Sequence, residues 1–299
     1  MNFTIITVTY NSAHIIKDFL QQFNDCKDYS IIVVDNNSSD ETIKLIEGLN
    51  YANISIIKSE QNIGFSRANN LALRKVKDEY AILLNPDCKI EIDAIKTTLL
   101  KAKNHKNIAI CAPELYGVKD KDVTAVRKNQ SLELVNDGIF DAKFISGCCM
   151  FLRMEIFQKI GFFDEGFFLY CEDNEICKRV INKGYHLGIV KGCKVIHMSN
   201  QSSTQEVKSK IKFAILIHKL GWSKCYYTEL VHFKLVGKLK AVRDIIRCLL
   251  KLALKRNAAE HVKMQNKAKL YGSFFYLIGK KAFNKDGSPL AFKKSYKNK

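Results

Sequence analysis

Two short apolar runs set the strongest limit on what this chain can fold into. Ile31-Ile32-Val33-Val34 and Tyr80-Ala81-Ile82-Leu83-Leu84 carry no polar residue at alternate positions. Such strands expect cover on both faces, as inside a parallel sheet flanked by helices. Each run then stops in a polar turn that holds a carboxylate: Asp35-Asn36-Asn37-Ser38 after the first, Asn85-Pro86-Asp87 after the second. Pro86 has no N–H and a fixed φ, so the ladder ends there. In open α/β sheets ligands bind outside the carboxyl ends of the strands, and Asp87 is presented at such an edge. A turn Asp after a buried strand is common, so the pentapeptide Leu83–Asp87 does not decide its role alone.

Around these runs, strand-like and helix-like segments alternate. Asn2–Tyr10 is β-rich. Asn11-Ser12 opens a helix to about Phe23, with Ser12 as N-cap. Ser38 and Glu41 have the spacing of a capping box for the next helix. Ile54–Ile57 reads as a strand, Asn62–Asn70 as a loop entering a helix, Ile92–Lys103 as a helix, and Ile108–Ala112 as a strand. Short connections between alternating elements predict a three-layer, Rossmann-like α/β fold with a mostly parallel sheet. Two carboxylates at one sheet edge suit a nucleotide, one for base or ribose hydroxyls and one for a metal. The chain has no G-x-G-x-x-G and no G-x-x-x-x-G-K-[ST], which argues against a dinucleotide oxidoreductase or a P-loop NTPase.

Glu114–Asp141 is polar and irregular, as expected of a loop or lid on the acceptor side or of plain surface. Phe144–Leu152 returns to a buried strand whose small central residues allow close approach of a ligand or of another backbone. A helix begins near Glu172 and closes at Gly184 as its C′ residue. Asp173, Ile176, Cys177 and Val180 share one face, so Asp173 is expected to point inward, where a general base belongs. The helix dipole explains the flanking Glu172 and Glu175 well and an inward Asp173 poorly. His186–Val190 and Lys194–His197 read as two more strands. His197 ends an apolar run, and imidazole is a good ligand for ions such as Mn²⁺.

Charge divides the chain. Residues 1–206 hold 25 Lys and Arg against 26 Asp and Glu, whereas 207–299 hold 23 against 4. The net +18 therefore belongs wholly to the last third. This predicts a domain at 1–206 and a basic helical appendage at 207–299. Within the appendage, Lys208–Leu220 and Leu235–Lys255 mix apolar residues with Lys and Arg. In the second, Leu235, Leu239, Val242, Ile246, Leu249, Leu250 and Ala253 follow helical spacing, a pattern suited to an anionic membrane surface or to packing on the domain. No apolar stretch reaches the roughly 18–20 residues of a spanning helix. Ten cysteines without a C-x-x-C pair fit a reducing, cytoplasmic setting and give no zinc-site spacing. The basic tail also raises a nucleic-acid-binding protein as an alternative. The neutral first two-thirds argue against it.

In order, Thr-Val-Thr-Tyr-Asn-Ser, Val-Val-Asp-Asn-Asn-Ser, Asn-Ile-Gly-Phe-Ser-Arg-Ala-Asn-Asn, Leu-Leu-Asn-Pro-Asp, Phe-Leu-Tyr-Cys-Glu-Asp-Asn-Glu-Ile-Cys-Lys-Arg and Val-Ile-His resemble the motifs of family-2 inverting glycosyltransferases. The likeness is greatest to a rhamnosyltransferase branch in which N-P-D stands in for D-x-D. It covers residues 1 to about 204 and implies a GT-A fold. It also implies an inverting transfer from a nucleotide-sugar donor, dTDP-rhamnose ahead of a UDP-sugar, to a glycan or lipid-linked acceptor at the inner face of the cell membrane. By position, the resemblance assigns Thr9, Tyr10, Asp35, Asn37, Asn62, Gly64, Asn69 and Asn85 to the nucleotide sugar. It gives Asp87 and His197 to Mg²⁺ or Mn²⁺, Asp173 to the catalytic base and Glu172 to the acceptor. The chain departs from the family pattern at Ala68, where a second Gly is usual, and in having one carboxylate in the metal triplet. A sugar nucleotidyltransferase of similar fold would want a Gly-rich basic loop where this chain has Thr9-Tyr10-Asn11-Ser12.

Overall fold

A computed structural model describes residues 2–23, 28–117, 134–135, 138–198, 217, 221–254 and 258–280. Most of the expected irregular stretch at 114–141 and almost all of the basic, apolar-containing stretch at 208–220 lie outside them. The chain divides into two compact units. The first gathers Met1–Glu60, Arg67–Asp164 and Ile176–Thr204, and the second gathers Gln61–Ser66, Glu165–Glu175 and Gln205–Lys299. Two short segments from the neutral part of the sequence thus group with the basic one.

The elements run β1 (Phe3–Thr9), α1 (Ile16–Gln21), β2 (Ser30–Asp35), α2 (Thr42–Glu47), β3 (Ile54–Lys58), α3 (Phe65–Leu73), β4 (Tyr80–Leu84), β5 (Cys88–Ile90), α4 (Ile92–Lys103) and β6 (Ile108–Gly117). They continue with β7 (Leu134–Val135), β8 (Ile139–Ala142), β9 (Cys149–Arg153), α5 (Met154–Ile160), α6 (Glu172–Asn182) and β10 (His186–His197). The basic region contributes α7 (Ser223–Val231), α8 (Lys234–Leu254) and α9 (Glu260–Leu277).

The first unit is built on one sheet in the order β3-β2-β1-β4-β9-β6-β10-β8-β7, with β5 paired to β10. Its first half is parallel as expected, β2 on β1, β3 on β2 and β4 on β1. The second half is mixed, because β9 runs antiparallel to both β4 and β6 while β10 is parallel to β6. Ile31–Val34 and all of β4 are buried. Phe19, Phe23, Ile31, Val33, Ile82 and Phe151 share one core, and Phe3 stacks on Tyr29 there at 4.8 Å.

Local structure corrects the expected caps. Helix α1 starts at Ile16, not at Ser12. Ser12 instead donates its N–H to Thr42 Oγ1 at 2.8 Å, and its hydroxyl accepts from Tyr10 N. The capping box does not form either. Helix α2 begins at Thr42, and Ser38 Oγ accepts from Asn11 N–H at 2.8 Å across the sheet edge. The Ser38 hydroxyl thus serves a tertiary partner and the Ser12 hydroxyl turns back to Tyr10, uses that cap spacing does not display. Likewise β9 begins only at Cys149, after a turn in which Cys149 N bonds Ser146 O at 3.2 Å. The two expected C-terminal strands are one, β10, with a register shift between Val190 and Lys194. The C-terminus of α6 is as expected: Gly184 has φ 81° and Tyr185 N bonds back to Val180 O at 3.2 Å, the Schellman pattern.

In the second unit, α8 buries its small face, Gly237, Ala241, Asp244 and Cys248, and α9 buries Ala268, Gly272 and Ser273. A Cβ on Gly272 would stand 2.3 Å from the Ile217 carbonyl oxygen, so the close approach needs glycine. Asp244 is held by Lys240 at 2.6 Å and Lys269 at 3.0 Å. The large apolar side chains of α8, Leu235, Leu239, Val242, Ile246, Leu249 and Leu250, are exposed, with exposed Lys234, Lys238, Arg247 and Lys251 among them. No helix among the described residues is long and apolar enough to cross a membrane.

Candidate active site

The carboxyl ends of β1 and β2 carry the first group of candidate residues. Thr9 and Asp35 are cross-strand partners, and Thr9 Oγ1 donates to Asp35 Oδ1 at 3.2 Å. Asp35 Oδ2 accepts the Ser38 N–H at 3.0 Å, which fixes the carboxylate at the start of the turn. Asn11, in the left-handed region at φ 52°, accepts from Ser39 N–H at 2.7 Å, and Asp40 Oδ2 accepts from Ala13 N–H at 3.1 Å. These bonds tie the two strand-end loops together. Tyr10 is half-buried beside them, and Asn37 (φ 69°) is exposed. Asn69 is buried on α3 in the same unit.

The second group lies where β4 ends. Asn85 N–H donates to Cys148 O at 2.9 Å, and the chain then turns through Pro86 into β5. Strand β5 pairs antiparallel with the end of β10, with Cys88 opposite His197. This brings His197 Nε2 to 3.2 Å from Asp87 Oδ1, while the Asp87 carbonyl accepts Met198 N–H at 2.8 Å. Asp87 is 1% exposed. Burial alone would lower the His197 basicity. The hydrogen bond to Asp87 and the neighbouring Cys148 outweigh it and raise the imidazole to about 10. The pair offers an oxygen and a nitrogen donor to one cation, a set that suits Mn²⁺ better than a soft ion. A buried carboxylate with an imidazole 3.2 Å away fits a metal ligand.

The remaining candidates belong to the second unit. Asn62 Oδ1 accepts the Gly64 N–H at 3.1 Å, and Phe65 N–H donates to Phe168 O at 2.8 Å. Gly64 has φ 83°, and a Cβ there would stand 2.4 Å from the Phe168 oxygen. The glycine is thus required by conformation and by space. Past Phe168, Tyr170 and Cys171 both have positive φ, 68° and 72°. That strained approach delivers α6, whose first turn holds Glu172 and Asp173. Their burial is the reverse of the expectation. Glu172 is 6% exposed, and its Oε2 has no hydrogen-bond partner among the described residues. Asp173 is half-exposed and accepts from Asn174 N and Nδ2, both at 2.9 Å. Helical periodicity put Asp173 on the apolar face, but residues in the first turn are aimed by the incoming chain. Burial first, and the charge of Asp173 second, raise the Glu172 carboxyl to about 8. The Glu172 carboxyl is therefore largely protonated at pH 7.

Several residues escaped the sequence reading. Asn70 brackets the Phe163 peptide, donating to its O at 2.9 Å and accepting from its N at 3.1 Å. Arg179 donates to the carbonyls of Ile160, Gly161 and Phe162. Both fix the turn that follows α5. Cys88 and Cys148 flank the Asp87–His197 pair, and only the pairing of β5 with β10 reveals them.

Residues 4–161 match the model of the family described as "Glycosyl transferase family 2". The chain is 27% identical over 209 residues to the low-salt glycan biosynthesis hexosyltransferase Agl10 of Haloferax volcanii, covering 65% of this chain and 66% of that protein. It is 28% identical over 225 residues to the rhamnosyltransferase WbbL of Escherichia coli, covering 67% of this chain and 84% of that one. Among solved structures, the mannosyltransferase PcManGT of Pyrobaculum calidifontis, in complex with GDP-Man and Mn²⁺, superposes with a TM-score of 0.58. The identity is 12%, over 93% of this chain and 87% of that one, a likeness of fold. With the family motifs on these strand ends and the family match over more than half its length, the chain belongs to the family-2 glycosyltransferases and has their GT-A-like fold.

Proposed function

We propose that the protein transfers an L-rhamnosyl group from dTDP-L-rhamnose to a glycan or lipid-linked acceptor in the synthesis of a cell-surface polysaccharide. The observation that carries the reading is the Asp87–His197 pair, 3.2 Å apart at the end of β4. The likeness to a protein named a rhamnosyltransferase over 84% of that protein's length supports the sugar.

In this reading Asp35, anchored by Thr9 and Ser38, accepts hydrogen bonds from the nucleoside. By the family resemblance Asn62, Gly64, Asn85, Tyr10, Asn37 and Asn69 are further donor-binding residues. Asp87 and His197 hold a divalent cation, Mg²⁺ or Mn²⁺, which supplies charge neutralisation for the leaving diphosphate. Asp173 accepts the proton of the acceptor hydroxyl as that oxygen bonds to the anomeric carbon. The bond from that carbon to the diphosphate oxygen breaks, its electron pair leaves with the diphosphate, and the centre inverts. Glu172, protonated at neutral pH, donates a hydrogen bond to the acceptor and does not compete for its proton. General-base assistance of this kind is worth ~10²–10⁴ in rate.

The exposed apolar stripe of α8, edged with Lys and Arg, suits the surface of an anionic leaflet, where each cationic side chain adds ~1 kcal/mol. A nucleic acid offers no counterpart to the stripe. The test is a panel of nucleotide sugars scored for nucleoside diphosphate release. dTDP-L-rhamnose should be turned over fastest, and Asp173→Asn should bind it without releasing product. Preference for another donor refutes the sugar assignment, and an active Asp173→Asn refutes the base.

A further inference from the structure

Cys88 and Cys148 stand sixty residues apart, in no spacing that announces a metal site, yet the fold joins them. Strand β5 sets Cys88 opposite His197. The turn before β9 brings Cys148 alongside, its carbonyl accepting from the Cys88 thiol at 3.5 Å. The two sulfurs and a ring nitrogen of His197 all lie within 4.8 Å of one another, and among the described residues no other group of three metal-ligating side chains converges so closely. We propose that Cys88, Cys148 and His197 bind a thiophilic divalent cation, Zn²⁺, and that this ion takes His197 from Asp87 and thereby inhibits transfer.

The chemistry of the donors carries the binding half. Two sulfurs and an imidazole are a zinc set, and bonds of about 2.3 Å to sulfur and about 2.0 Å to nitrogen place tetrahedral ligands roughly 3.5–4 Å apart. Side-chain adjustment of about 1 Å closes the site. Three protein ligands leave a fourth position open, the pattern of exchangeable zinc. Asp87 Oδ1, 3.2 Å from His197 Nε2, stands next to it. Cys88 and Cys148 are 1% and 5% exposed, which keeps water from competing, while the half-open His197 gives a path of entry. Mg²⁺ has no affinity for such sulfurs, and Mn²⁺ ranks below Zn²⁺ for any nitrogen and sulfur set. Buried thiols usually act as small hydrophobes, and Cys111, Cys149 and Cys177 belong to no such cluster. Loading takes both thiols as thiolates and the imidazole as a neutral base, so protons are released and affinity falls as pH falls. The inhibitory half rests on Asp87 and His197 holding the catalytic cation.

The test titrates Co²⁺ into the reduced, metal-free full-length protein. One equivalent should give a thiolate-to-cobalt charge-transfer band and the intense visible bands of tetrahedral cobalt, both abolished by Zn²⁺. Cys148→Ser and Cys88→Ser should each lose the charge-transfer intensity, whereas Cys193→Ser should keep it. A wild-type spectrum without that band overturns the proposal, even if a variant fails to fold. So does a band that survives both substitutions. The spectrum requires no sugar donor, so its outcome is independent of the donor assignment. Bound Zn²⁺ with undiminished nucleoside diphosphate release overturns the inhibitory half.

Discussion

Replacing Glu172 with Gln should stabilise the protein, by an amount that grows with pH. The wild-type carboxyl is buried, has one oxygen without a partner among the described residues, and titrates at about 8 against a usual 4.5. Its folded-state value is raised, so the folded state binds a proton that the unfolded state has released. Stability is full below the unfolded value and is lost as pH rises towards the folded one. At 1.36 kcal/mol per unit, the loss is at most about 1 kcal/mol at pH 5, about 3 kcal/mol at pH 7 and about 4–5 kcal/mol above pH 9. Gln keeps the shape and the neutral, donor-bearing end while removing the titration. Urea unfolding of both proteins from pH 5 to pH 9 reads the difference. A gain that rises across this window supports the assignment of Glu172 as a neutral acid. A difference that is flat in pH, or a variant less stable at every pH, refutes it.

Two other perturbations test the second unit. Asp244→Ala leaves Lys240 and Lys269 facing one another without their shared carboxylate and should cost about 3 kcal/mol in urea unfolding. Burial opposes ionisation of Asp244, but the two lysines outweigh it and hold the carboxyl below its usual range. Its stabilisation is therefore present above the ordinary carboxylate range and lost as pH falls through the folded value. Leu239→Glu with Ile246→Glu, both on the exposed stripe of α8, should abolish co-sedimentation with anionic vesicles while leaving thermal stability unchanged. Co-sedimentation that persists, or that occurs equally with zwitterionic vesicles, argues against the leaflet surface.

What was legible in the sequence is what depends on local pattern. The unalternated runs of β2 and β4, the carboxylates at their ends and the Gly184 stop of α6 all stand where expected. The antiparallel insertion of β9 was not legible, because a strand buried on both faces reads alike in either direction. The expected caps fail because the Ser38 hydroxyl meets Asn11 across the sheet edge and the Ser12 backbone is held there by Thr42 while its hydroxyl turns back to Tyr10. Periodicity placed Asp173 inward, but the positive φ of Tyr170 and Cys171 re-aims the first turn and buries Glu172. On α8 the apolar stripe suited either a membrane surface or packing on the domain, and helix packing uses the small residues Gly237, Ala241 and Cys248 while the stripe stays exposed.

The most direct test of the account is calorimetric titration of dTDP-L-rhamnose into wild type and Asp87→Asn, each with and without Mn²⁺. The account predicts that Mn²⁺ tightens donor binding to wild type by at least about tenfold, roughly 1.4 kcal/mol, and does nothing for the variant. Equal enhancement in both proteins, or none in wild type, would contradict it.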